Sequence, residues 1–70
     1  MAEIRSNMAG SVWKILVSKG DKVHAGEDII ILESMKMEIP IAAEENGTIT
    51  EVHVNEGDFV NDGDILAESE

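Results

Sequence analysis

An internal repeat constrains this sequence more than any other feature. Moving the first half by 37 positions lays Gly10 on Gly47, Val12 on Ile49, Ile15 on Val52 and Val17 on Val54. The same shift lays Gly20-Asp21 on Gly57-Asp58, Val23 on Val60, Gly26 on Gly63 and Ile29 on Leu66. The matched residues are of two kinds. Glycines mark places where the chain must turn, and β-branched or aliphatic residues fit a pleated, half-buried surface. Two copies of one strand–turn–strand–turn–strand unit pack best about a two-fold axis, each completing the other's core.

The segments between matched glycines read as strands and turns. Ala2 to Met8 suits an edge strand or an added strand, Val12–Val17 a strand ending at Lys19-Gly20-Asp21, and Ile29–Leu32 a buried one. Glu44-Glu45-Asn46-Gly47 is a turn, Thr48–Val54 alternates as a strand, and Asn61-Asp62-Gly63-Asp64 turns before Ile65-Leu66-Ala67. Only Ala42–Glu45 has a helical leaning, and it is too short to nucleate a helix. The expected core is Ile4, Val12, Ile15, Val17, Val23, Ile29, Leu32, Ile39, Ile41, Ile49, Val52, Val54, Val60 and Leu66. Such an aliphatic set suits a thin, flattened barrel. Trp13 falls on Thr50 in the repeat, an outward position, where it serves either as a docking contact or as a cap on one mouth of the barrel.

Seventy residues hold one small domain, 1–70. With no cysteine there is neither a disulfide framework nor a thiolate metal site, and two histidines are too few for a metal cluster. No apolar run approaches membrane-spanning length, and Met1-Ala2-Glu3 begins no secretory signal, so a cytoplasmic protein without membrane association is expected. The formal net charge of −10 lies wholly in residues 37–70, which hold ten carboxylates and no Lys or Arg. That surface repels phosphate backbones and excludes a nucleic-acid partner. It favours encounter with basic protein surfaces or serves solubility.

Between the two repeats lies Glu33-Ser34-Met35-Lys36-Met37-Glu38, flanked by Ile29–Leu32 and by Ile39-Pro40-Ile41-Ala42-Ala43. Two β-prone runs joined by a short polar link form a hairpin turning near Lys36. The chain termini are then expected at the opposite end. An amine on a protruding turn is reachable by another protein, the geometry that covalent modification of a lysine needs. No Ser/His/Asp or Cys/His set and no paired acids in a pocket are visible, so no catalytic activity of its own is expected.

These residues resemble the biotinyl/lipoyl domain family. The likeness runs through Gly10-Ser11-Val12, Val17-x-x-Gly20-Asp21-x-Val23-x-x-Gly26, Glu33-Ser34-Met35-Lys36-Met37, and Gly47-Thr48-Ile49 to Gly63. It implies an all-β barrel-sandwich hybrid of two four-stranded sheets, with Lys36 as the attachment lysine on an exposed hairpin. It further implies a free-standing bacterial attachment protein, monomeric and without enzymatic activity. Methionines on both sides of the lysine are similar to biotin acceptors; lipoyl members typically have Asp before the lysine and Ala after it. Ser34 stands where the family usually has alanine. Asn7 and Glu44 replace prolines often found three residues before each repeat glycine, and the inserted thumb of some acetyl-CoA carboxylase carriers is absent.

The resemblance also supplies partners. A biotin protein ligase would acylate Lys36, and the tethered biotin would carry carboxylate between biotin carboxylase and carboxyltransferase sites, its arm reaching on the order of 15 Å. Met35 and Met37 would adapt to an apolar enzyme surface. Glu33 and Glu38 would either meet basic residues of the ligase or remain ordinary hairpin carboxylates. A lipoyl or dual acceptor, and an unmodified binding module, are the alternatives.

Overall fold

The computed structural model describes residues 2–70, which form eight strands. They are β1 (Ala2–Arg5), β2 (Gly10–Ile15), β3 (Lys22–Val23), β4 (Asp28–Ser34), β5 (Met37–Ala42), β6 (Gly47–Val52), β7 (Phe59–Val60) and β8 (Ile65–Ser69). They pair into two four-stranded antiparallel sheets of order β1-β8-β6-β3 and β5-β4-β2-β7. The 37-residue shift carries β1, β2, β3 and β4 onto β5, β6, β7 and β8, and so carries one sheet order onto the other. Each sheet therefore takes two strands from each half of the chain. The expected barrel-sandwich with internal two-fold symmetry is the fold observed, with β1 at a sheet edge as the sequence predicts.

The symmetry extends to single hydrogen bonds. Gly20 N–H donates to the Ile49 carbonyl at 2.7 Å, and its twin Gly57 N–H to the Val12 carbonyl at 2.8 Å. Both glycines have φ of +96°, a left-handed conformation that side chains rarely adopt. The turns are locked by carboxylates: Asp21 Oδ2 accepts from Ser18 N–H and Asp58 Oδ2 from Asn55 N–H, each at 2.8 Å.

Strand register slips by one residue at four places, again in twinned pairs. Ile29 is the extra residue of β4 against β5, and Leu66 that of β8 against β1. Trp13 is the extra residue of β2 against β4, and Thr50 that of β6 against β8. The first pair explains a departure from simple alternation. Ile29-Ile30 and Leu66-Ala67 are consecutive residues, yet all four are buried, because the slip turns two successive side chains inward.

Ile30, Ala43 and Ala67 thus join the expected core. Ile39 is only half-buried on the edge strand β5, and Ile15, Val52 and Val54 pack against the core from its margin. Among the described residues no aromatic side chain is buried, in keeping with two closely apposed sheets. Close approach is greatest at Gly10, where a Cβ would lie 2.8 Å from the Glu33 carbonyl oxygen; at its twin Gly47 the nearest atom, the Glu70 carbonyl oxygen, would be 3.0 Å away.

Candidate functional site

Strand β4 runs into β5 through a turn of two residues. Ser34 pairs with Met37, leaving Met35 and Lys36 as the whole loop. Both have positive φ, 52° and 63°. A two-residue hairpin loop of type I′ needs φ above zero at both central positions, because that twist matches the flanking strands. Asn and Gly usually take these positions. A side chain in the left-handed region costs roughly 1–2 kcal/mol per residue, offset here by the ladder of pairs from Asp28–Ala42 to Ser34–Met37. The direction of the Lys36 side chain is therefore set by the strands rather than by a loose loop.

Lys36 is exposed, Met35 is 92% exposed and Met37 64%. Among the described residues the Lys36 amine enters no hydrogen bond or ion pair; the ion pairs join Arg5–Glu3 and Lys19–Glu51, and His53 Nε2 shares a hydrogen bond with Glu68. Glu33 and Glu38 stand directly opposite each other on β4 and β5, one rung below the turn's closing pair. Ser34 is half-buried, with its Cβ against Gly10. The five residues singled out from the sequence, Glu33, Ser34, Met35, Lys36 and Met37, thus share one hairpin tip.

Beside the tip opens a groove of about 410 Å³, lined by Ala9, Gly10, Ser11, Glu33, Ser34, Met35, Lys36 and Phe59. Phe59, 66% exposed, is the neighbour that sequence reasoning missed. Its signal was present: it is the repeat twin of Lys22, an aromatic where the other half has a charge. Among the described residues no group of three His, Asp or Glu is placed to hold a metal ion. The other lysines have different settings. Lys14 Nζ lies 5.5 Å from the centroid of the Trp13 ring, Lys19 Nζ is 3.4 Å from Glu51, and Lys22 is on the edge strand β3.

Comparison with known proteins agrees with this geometry. Residues 2–68 match the family described as "Biotin-requiring enzyme" (Biotin_lipoyl). The Biotin/lipoyl attachment protein of Bacillus subtilis is 56% identical over 61 residues, covering 87% of this chain and 84% of that protein. The chain belongs to the biotin/lipoyl attachment family. As a member of that family it is a carrier domain and not itself a catalytic enzyme.

The Biotinylated protein TB7.3 homolog of Mycobacterium leprae is 43% identical, with 96% of each chain covered. Pyruvate carboxylase of Bacillus subtilis is 42% identical across 99% of this chain, which spans 6% of that enzyme. Among solved structures, Kluyveromyces lactis urea carboxylase superposes with a TM-score of 0.89 at 35% identity, over 94% of this chain and 6% of the enzyme. The lipoyl domain of the Azotobacter vinelandii 2-oxoglutarate dehydrogenase complex does so with 0.74 at 32%, over 89% of this chain and 78% of that one.

Attachment domains hold biotin or lipoate covalently on a lysine. The hairpin suits such an attachment, since it offers an unpaired, exposed amine on a turn of fixed direction, flanked by uncharged, polarisable thioethers.

Proposed function

We propose that Lys36 is the attachment lysine and that the group it carries is biotin, in the service of a biotin-dependent carboxylase. The observation that carries this reading is the pair of left-handed residues Met35 and Lys36, which sets the Cα–Cβ direction of an exposed lysine at the tip of a closely paired hairpin. Methionines on both sides of the lysine, the biotinylated relative and the match to pyruvate carboxylase support biotin. The likeness to a lipoyl domain, and the shared name of the Bacillus relative, support lipoate as the second reading.

An alkylammonium at neutral pH is a poor nucleophile, so the chain cannot acylate itself and needs a ligase to remove the proton. Lys36 Nζ then attacks the acyl carbon of biotinyl-adenylate. The amide C–N bond forms, the acyl–phosphate bond breaks, and AMP leaves with the electron pair. When bound, biotin supplies a ring nitrogen that carries a carboxyl group between a biotin carboxylase and a carboxyltransferase site. The chain's own contribution is to hold the attachment point away from the barrel, with Met35 and Met37 free to adapt to successive enzyme surfaces.

Intact mass of the protein purified from its native cell, followed by peptide mapping, tests this reading. One biotinyl group on Lys36 is expected. A lipoyl group there would establish the second reading, and an unmodified chain or an adduct on Lys14, Lys19 or Lys22 would overturn both.

A further inference from the structure

The pseudo-two-fold axis gives the molecule an internal control. Outward positions on the sheet that carries Lys36 have twins 37 residues away on the other sheet, in the same backbone setting. On the Lys36 sheet Trp13, Ile31, Pro40 and Phe59 occupy such positions, and their twins are Thr50, Glu68, Glu3 and Lys22. Each apolar residue has a polar or charged twin. The fold does not require the apolar set, since its other half forms the same strands without it. The set is also contiguous. Phe59 pairs with Ser11 and Ser11 with Glu33 in one row, while Lys14, Ile31 and Pro40 form the next, beside the extra residue Trp13. Trp13 is 41% exposed and Phe59 66%.

Charge gives a second, independent contrast. On the twin sheet Glu3, Glu68 and Glu51 lie side by side across three strands, and each has a partner: Arg5 at 2.8 Å, His53 at 2.6 Å and Lys19 at 3.4 Å. On the Lys36 sheet Glu33 opposes Glu38 directly, and among the described residues neither enters an ion pair. Like charges directly opposite destabilise a strand pair.

We propose that the outward face of the Lys36 sheet seats the enzyme that acylates Lys36, through apolar contact with Trp13, Ile31 and Phe59 and a cationic contact with Glu33 and Glu38. The proposal rests on Lys36 being the attachment lysine. It selects the acylating enzyme because a bare lysine stem reaches only about 6 Å from its Cα, so that enzyme must lie against the hairpin itself. A specific interface takes about 800 Å² from each partner, more than a tip of three side chains offers, so contact must spread to a flank. The apolar flank with the unneutralised carboxylates is the one equipped for it, and aromatic residues are where interface energy concentrates. After acylation, an arm on the order of 15 Å relaxes that demand for later partners.

Initial rates of biotinylation by a biotin protein ligase, with ATP and biotin and with the unmodified full chain as substrate, test the proposal. Trp13→Thr and Phe59→Lys install residues that the twin positions already accept, so the fold should survive; two-dimensional NMR checks it. Each should lower kcat/KM by roughly tenfold or more, mainly through KM, and Glu33→Lys with Glu38→Lys should do the same. Thr50→Ala and Lys22→Ala on the twin sheet should stay within about twofold of the unaltered chain. A Lys36→Arg chain, which cannot be acylated, should compete with the unaltered substrate and lose that ability when Trp13→Thr is added. Biotinylation of the unaltered chain at Lys36 together with unchanged rates in all face variants would overturn the proposal alone. Failure of the unaltered chain to take biotin at Lys36 would overturn the biotin reading and this one with it.

Discussion

Ile30 and Ala67 are twins on equivalent strands, and so are Leu32 and Ser69; all four are buried. The half with the larger pair runs directly into the hairpin that presents Lys36. The half with the smaller pair lies near the chain termini, where a hollow of about 180 Å³ is lined by Ala2, Ile4, Ala43 and Ser69 among others. The termini occupy the place that symmetry would give a second hairpin, since Ala2 pairs with Ser69. One backbone plan is therefore filled unequally. Bulk is concentrated beneath the end that carries the Lys36 hairpin, and the other end does with less. On the outside the contrast runs the same way, Ile31 against Glu68 and Phe59 against Lys22.

The largest effect should come from erasing the difference in the core. Ile30→Ala makes the hairpin half resemble its twin and should cost about 3 kcal/mol in urea unfolding, the transfer free energy of the lost side chain plus a cavity the ladder cannot close. A cost below about 1 kcal/mol would mean that packing beneath the hairpin is as loose as at the other end. The glycine twins should separate next. Gly10→Ala pushes a Cβ into the Glu33 carbonyl on the strand leading to the turn, whereas Gly47→Ala meets Glu70 less closely. Costs of about 2 and 1 kcal/mol are expected, and only the first should shift NMR signals of Met35 and Lys36. Equal costs, with the hairpin signals unmoved, would erase the distinction.

Much of this contrast is written in the sequence, though unevenly. Matched glycines and aliphatics disclose the repeat because turns and buried strands restrict residue type most, and the repeat leads to the two sheets. That Ile29 and Ile30 are both buried is hidden, because alternation gives one inward side chain in two and the register slip at Ile29 is a property of the assembled ladder. Ile39 looks like core from its composition, but it lies on an edge strand. The site is legible as a lysine between methionines on a hairpin. Its turn type is not, since neither Met35 nor Lys36 is a residue that favours positive φ; paired strands impose the conformation. The exposed place of Phe59 beside the tip emerges only when the repeat is laid onto the sheets and its twin is seen to be Lys22.

The smallest effect should appear at the turn itself. Asn tolerates the left-handed region better than Met, so Met35→Asn should raise stability by about 0.5–1 kcal/mol. Thermal unfolding would show it, and no gain would mean that the left-handed turn carries little steric cost at this position.

The claim that hairpin geometry, rather than an available lysine, makes the site is tested most directly by exchanging Met35→Lys with Lys36→Met. Composition and charge are unchanged, and both positions are exposed at the same turn. Neighbouring side chains leave the hairpin in different directions, and an acylating enzyme must bring the amine to within about 3 Å of its acyl donor in an aligned approach. An avidin gel shift should show biotinylation slowed by roughly a hundredfold or more, with two-dimensional NMR reporting an intact fold. Biotinylation of the exchanged chain at the unaltered rate would contradict the account.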